Sequence, residues 1–278
     1  MNRHIDNRNG AAEAMEQVIG KISPDPSPQG GLGTLYGVGA GPGDPELITL
    51  KGWRLLQRSP VVAFPAGLGG KAGVAQQIVQ EHLSPEQTQL ALHFPYVHDL
   101  AVLEAAWRAA AEAVWEHLRQ GQDVVFVSEG DVSFYSTFTY LAQALHEAHP
   151  EAPIQTVPGV CSPLAAAAML GVPLTTRSQR LVVLPALYTV DELEAVLAWA
   201  DVVVLMKVSS VYREVWQRLK ERDLLGRSYV IERATLPTQT IHRDLGDRPD
   251  LQLPYFSLMV IQVRAEAPAS LPAPAATF

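Results

Sequence analysis

Short apolar runs, bounded by glycine, proline and charged residues, alternate along this chain with longer stretches whose apolar residues recur at helical spacing. The first series predicts strands at Thr34–Val38, Val61–Phe64, Gln89–Phe94 and Asp123–Val127. Helices are predicted between them near Glu46–Gln57, Ala72–His82, Leu100–Gln120 and Phe134–His146. In the third helix Trp107, Ala111, Val114, Trp115 and Leu118 share one face, which reads as core. A second series starts near Pro153 with strands Ile154–Val157, Arg180–Leu184 and Asp201–Met206, and helices over Ser162–Leu170, Asp191–Trp199 and Ser210–Glu221. It ends in strands Ser228–Ile231, Gln239–His242 and Phe256–Val263 with no helices between them, the pattern of antiparallel neighbours.

The expected fold class is therefore α/β, as two α/β domains with a cleft between them, the second built on a mixed sheet. The boundaries that follow are an N-terminal domain at 33–152 and a C-terminal domain at 153–266, meeting near residue 152. Residues 1–32, with a short helix over Ala11–Ile22 and then Pro/Gly/Ser punctuation, read as a flexible extension. Residues 267–278 are rich in Ala and Pro, lack a periodic apolar face and read as an extended tail.

Composition narrows the partners. The 278 residues carry a net charge of −8, nearly all of it in the first half, which argues against nucleic acid. No apolar run approaches the roughly 20 residues that span a bilayer, and the polar start lacks the layout of a secretory signal, so a cytoplasmic protein without a membrane partner is expected. A single cysteine, Cys161, excludes an internal disulfide and a cysteine-built metal cluster, and no metal site is expected.

The candidate chemistry lies in five loops, each at a strand end. The first, Gly37-Val38-Gly39-Ala40-Gly41-Pro42-Gly43-Asp44-Pro45, is open to close approach because glycine lacks a Cβ. It does not match a dinucleotide fingerprint: from Gly37 the third glycine is replaced by Pro42, and from Gly39 by Asp44. A loop leaving through a carboxylate suits a cationic or hydroxyl-bearing ligand better than a phosphate. The other four are Glu129-Gly130-Asp131, Val157-Pro158-Gly159-Val160-Cys161-Ser162, Met206-Lys207 and Arg233-Ala234-Thr235-Leu236-Pro237-Thr238-Gln239. Taken singly, each has a structural explanation, such as charge favouring a helix start, a turn, or a methionine filling the core. Together they describe glycine-lined strand ends with few ionisable groups, which fits a ligand held largely by backbone.

In this order, and with Gly171-Val172-Pro173-Leu174-Thr175 after the third loop, these segments resemble the tetrapyrrole methylase family, across both domains from Thr34 to about Val263. Glu129-Gly130-Asp131-Val132-Ser133-Phe134-Tyr135-Ser136-Thr137-Phe138 and Pro254-Tyr255-Phe256-Ser257-Leu258 are most similar to the branch that methylates precorrin-2 at C-20, with Val132 in place of the usual proline and Cys161 where a hydroxyl residue is common. The resemblance implies S-adenosylmethionine as methyl donor, a tetrapyrrole substrate and a homodimer. It places the cofactor against Pro42, Glu129, Gly130, Asp131, Cys161, Ser162, Met206 and Ala234, mostly through backbone. It turns Gly39, Gly41 and Gly43 toward the substrate and makes Asp44 a candidate for substrate orientation or proton handling, beside its plain alternative of capping the following helix. Eight substrate carboxylates require cations, for which Arg177, Arg180, Lys207, Arg213, Arg233 and Arg243 are candidates, Arg177 and Arg233 foremost. For the proton lost from C-20, Asp44, Glu129 and His242 stay open. Another family member, such as uroporphyrinogen III C-methyltransferase, and a nucleotide-binding oxidoreductase are the competing readings.

Overall fold

The computed structural model describes residues 31–67, 71–97, 99–186 and 190–264, so the expected helix Ala11–Ile22 and the tail from 267 lie outside the described residues. In the first half, strands β1 (Leu35–Gly39), β2 (Val61–Pro65), β3 (Thr88–Leu92), β4 (Val124–Ser128) and β5 (Ile154–Val157) form one sheet in the order β3-β2-β4-β1-β5. Every pairing in it is parallel. The strands read as continuous apolar runs because both faces are covered. Val61, Ala63, Val124 and Phe126 point to helices α3 (Leu100–Leu118) and α4 (Phe138–Ala148). The alternate residues Val62, Phe64, Val125 and Val127 face α1 (Leu50–Arg58) and α2 (Val74–Val79). On α3, Ala111, Val114 and Leu118 are fully buried, and Trp107 and Trp115 pack at the edge of the same core.

Strand β5 departs from the expected division. It was assigned to the second series, yet it pairs with β1, Val38 lying opposite Val157, so the change of sheet falls after Val157 and not near residue 152. A strand's neighbours are set by register and packing, which a linear pattern does not carry.

The second sheet contains β6 (Leu181–Leu184), β7 (Val202–Met206), β8 (Ser228–Glu232), β9 (Thr240–His242) and β10 (Ser257–Gln262), in the order β6-β7-β10-β8-β9. Only the β6–β7 pair is parallel, giving the mixed sheet expected. Helix α5 (Ser162–Leu170) covers one face. Helices α6 (Val190–Leu197) and α7 (Tyr212–Glu221) cover the other, around Val203, Leu205, Met259 and Ile261. No helix among the described residues is long and apolar enough to cross a membrane.

Two helices start four residues later than their periodicity predicts. The stretch Glu46–Gln57 divides into a single 3-10 turn, Pro45–Leu47, and α1, because Thr49 caps the second piece by accepting from the Gly52 N–H at 3.1 Å. Helix α4 begins at Phe138 and not Phe134, since Tyr135 takes φ = 56° and Ser136 Oγ accepts from the Phe138 N–H at 3.1 Å.

Candidate active site

The register of the first sheet brings three glycine loops to one edge. Gly39, Ser128 and Val157 end adjacent parallel strands at the same level, so the residues after them emerge side by side. There the glycines are used against one another. A Cβ on Gly39 would lie 2.6 Å from the Gly130 carbonyl oxygen and 2.7 Å from Gly159 Cα, and one on Gly159 would lie 2.2 Å from that same oxygen. Gly41 and Gly130 exchange both backbone hydrogen bonds, at 3.2 and 2.7 Å, which turns Gly130 to φ = 70°. Asp131 clasps the junction: one carboxylate oxygen accepts from the Gly159 N–H at 2.7 Å, the other from the N–H and hydroxyl of Ser133 at 2.8 and 2.5 Å. Burial pushes the Asp131 carboxyl up, but these donors outweigh it and hold the group below the usual carboxylate range.

The second sheet supplies the facing wall. Met206-Lys207 leaves β7 and Arg233-Ala234-Thr235 leaves β8, beside the residues that enter β10. Lys207, Arg233 and Thr235 adopt φ of 55°, 48° and 68°, and Tyr135 across the cleft adopts 56°. Left-handed backbone is costly for residues with a side chain, and here it is held by specific bonds, such as Arg233 N–H to Phe256 C=O at 2.7 Å and Thr235 N–H to Gln239 Oε1 at 2.7 Å. The two walls touch where Asp44 N–H donates to Thr235 Oγ1 at 3.0 Å and where a Cβ on Gly43 would meet Leu236 at 2.7 Å.

Between the walls is a cavity of about 560 Å³. All eight positions expected for the cofactor, Pro42, Glu129, Gly130, Asp131, Cys161, Ser162, Met206 and Ala234, lie on its lining, as does Arg233. Gly39, Gly41, Gly43, Asp44 and Arg177 are not among the lining residues. The three glycines admit neighbouring protein at close range, and the Asp44 carboxylate accepts from the Glu46 N–H at 2.8 Å, capping the 3-10 turn. Of the six basic candidates only Lys207 and Arg233 line the cavity. Arg180 pairs with Asp201 at 3.1 Å, Arg213 with Asp250 at 3.4 Å, and Arg243 donates to the Leu170 carbonyl at 2.8 Å. His242 is also taken, with Nε2 2.8 Å from Glu232 and Nδ1 3.1 Å from the Arg248 guanidinium.

Sequence reasoning missed a third, aromatic wall. Phe94, Pro95 and Tyr96 follow β3, and Trp107 on α3 stacks on Tyr140 of α4, centroids 4.3 Å apart and planes 7° from parallel. The legible signal was His93-Phe94-Pro95-Tyr96, a proline-broken aromatic stretch at a strand end like the other loops.

Four ionisable side chains of the lining interact across the cleft. Burial pushes the Glu129 carboxyl up, opposed by its own N–H, by Lys207 and by the Ala75 N–H. Burial, then Tyr255 and Glu129, pushes the Tyr96 phenol up, against Lys207. The Lys207 ammonium stands 5.3 Å from the centre of the Tyr255 ring. Among the described residues no group of three or more His, Cys, Asp or Glu is placed to hold a metal ion.

Comparison with known proteins adds the family. Residues 34–248 match the model of the Tetrapyrrole (Corrin/Porphyrin) Methylases. The chain is 35% identical over 237 residues to the cobalamin biosynthesis protein CobIJ of Mycobacterium tuberculosis, covering 82% of this chain but only 46% of that protein, so it spans about half its length. It is 31% identical over 239 residues to a precorrin-2 C(20)-methyltransferase of Sinorhizobium sp, covering 83% of this chain and 96% of that one. A uroporphyrin-III C-methyl transferase from Thermus thermophilus, solved with S-adenyl homocysteine, shares the fold at a TM-score of 0.58 and 23% identity, covering 82% of this chain and 97% of that one. With its two sheets, its cleft and a family match over most of its length, the chain belongs to the tetrapyrrole (corrin/porphyrin) methylases.

Proposed function

We propose that this chain is an S-adenosylmethionine-dependent methyltransferase acting on C-20 of precorrin-2 or its cobalt form, giving precorrin-3A or the cobalt equivalent and S-adenosylhomocysteine. The observation that carries the reading is the convergence of eight positions from five loops of both domains on one cavity. Its size falls within the roughly 300–1,000 Å³ of small-molecule sites. The residues present suit the donor: Met206, Ala234, Ile231 and Leu258 form an apolar slot for an adenine, and the Glu129 carboxylate offers a counter-charge to a sulfonium. The choice of C-20 rests on the segment Glu129–Phe138 and on the near full-length Sinorhizobium relative.

S-adenosylmethionine supplies a methyl group already activated on sulfur, so attack by an electron-rich ring carbon needs orientation more than a strong base. Lys207 and Arg233, the two cations of the lining, hold substrate carboxylates on one side. The Trp107–Tyr140 stack offers the macrocycle an apolar face on the other. The clasp at Asp131 keeps the loop ends rigid, so that donor and acceptor carbon meet in line. The homodimer expected of the family is part of the same proposal, and light scattering on the full chain checks it.

The test is anaerobic incubation with precorrin-2 and S-adenosylmethionine carrying a 13C-methyl, the methylated carbon being located by NMR. Methyl on C-20 supports the reading. Turnover of uroporphyrinogen III, or methyl on another carbon, assigns the chain to another branch, and binding of NAD without S-adenosylhomocysteine removes the methyltransferase altogether.

A further inference from the structure

We infer that Glu129 takes the proton released from C-20 after the methyl group has been transferred, an assignment that rests on the function proposed above. When the carbon–carbon bond forms, the methyl–sulfur bond breaks with its electron pair left on sulfur, and the positive charge passes to the macrocycle. C-20 then carries both hydrogen and methyl. Loss of that hydrogen as a proton returns the C–H electron pair to the ring and cancels the charge. The site must therefore offer a base that faces the cavity, keeps its proton affinity and can be ionised before the step.

Geometry leaves one carboxylate that meets these conditions. Asp44 is spent capping its 3-10 turn and lies off the lining. His242 is held at both ring nitrogens and also lies off the lining. Asp131 faces the cavity, yet both of its oxygens accept hydrogen bonds that keep it a weak base. Among the described residues, Glu129 and Asp131 are the only carboxylates on the lining, and Glu129 follows the central strand β4 directly. The backbone of the Glu129-Gly130-Asp131 turn is pinned by the Gly41 pairing, and the Glu129 carboxyl, although its own N–H and the Ala75 N–H bond to it, keeps a raised proton affinity where that of Asp131 is lowered.

Electrostatics supports the assignment. Burial raises the proton affinity of Glu129 above that of an ordinary carboxylate, which brings it closer to the operating pH and makes it a better acceptor. Lys207 opposes that shift and so favours the ionised form. The other titratable or charged groups on the lining are Asp131, Arg233, the Cys161 thiol and the phenols of Tyr96, Tyr135, Tyr140 and Tyr255. Because the ionised form is required, kcat should fall as pH drops through a value above the ordinary carboxylate range of about 4.3.

The experiment compares wild type with Glu129→Gln, Glu129→Asp and Tyr255→Phe, using precorrin-2 and precorrin-2 deuterated at C-20. S-adenosylhomocysteine titration first establishes that each variant folds and binds. The expected result for Glu129→Gln is near wild-type S-adenosylhomocysteine affinity, a first turnover that still releases S-adenosylhomocysteine, and kcat down about 10²–10³-fold. A primary isotope effect from the C-20 deuterium should appear or grow, the acid limb of the pH profile should vanish, and Glu129→Asp should recover part of the rate. The assignment is overturned if Glu129→Gln keeps the wild-type rate and pH profile, if weaker cofactor binding accounts for its whole loss, or if the isotope effect grows in Tyr255→Phe and not in Glu129→Gln. Wild type that binds S-adenosylhomocysteine but leaves C-20 unmethylated removes the proposed function, and this assignment with it.

Discussion

Gly159→Ala should disrupt the site through packing alone. Gly159 does not adopt a positive φ, so alanine is allowed by the backbone and only contact matters. The new methyl carbon would lie 2.2 Å from the Gly130 carbonyl oxygen and 2.7 and 2.8 Å from Gly39 Cα and C, all main-chain atoms that no rotamer change moves. Contacts below 3.0 Å essentially never occur, so the loops must part by at least 0.8 Å (3.0 less 2.2). That motion pulls on both Gly41–Gly130 bonds and on the Gly159–Asp131 bond. Overpacking costs about 1–3 kcal/mol and each of the three weakened hydrogen bonds up to about 1, which gives a loss of about 1–6 kcal/mol. Urea unfolding followed by tryptophan fluorescence measures it, with Gly226→Ala as control, since nothing lies within 4 Å of a Cβ there and its change should stay within about 0.5 kcal/mol. S-adenosylhomocysteine affinity should fall in Gly159→Ala, because the junction it parts is a wall of the cavity. A Gly159→Ala protein as stable as the control, binding like wild type, would refute the view that these glycines exist to bring the loops together.

Replacing Arg233 or Lys207 by alanine should raise the KM for the tetrapyrrole about 10–100-fold, the equivalent of one charged hydrogen bond at about 1.5–3 kcal/mol, while calorimetry finds S-adenosylhomocysteine binding within about threefold of wild type. Equal loss of both would point to damage of the fold. Asp131→Asn should lower stability at neutral pH by about 1 kcal/mol, allowing for the partial exposure of the clasp. The sign follows from the depressed carboxyl: its contribution is complete above the ordinary carboxylate range and fades as pH falls through the lowered value, so wild type and Asp131→Asn should converge in acid. Denaturation midpoints between neutral pH and about pH 3 check this, and a constant difference would count against it.

Local physics was readable from the chain alone. Apolar runs without alternation announced strands covered on both faces, the 3.6-residue spacing of Ala111, Val114 and Leu118 announced the core face of α3, and strand-end glycines marked where a ligand site would form. The eight positions expected for the cofactor wall all reached the cavity, because each sits at a strand end and strand ends of a sheet share an edge. What depended on relations between distant segments was decided only by the tertiary structure. Register moved Ile154–Val157 into the first sheet and inserted β10 between β7 and β8. Close packing turned Gly39 and Gly159 toward neighbouring loops, although a missing Cβ looks the same in sequence whether ligand or backbone comes near. Which ions reach the cavity was likewise a matter of partners: Arg180, Arg213, Asp44 and His242 are engaged away from it, while Lys207, Glu129 and Arg233, the last 3.8 Å from Glu232, line it. A charge is written in the sequence, but its freedom to act is set by the burial and hydrogen bonds that the fold assembles around it.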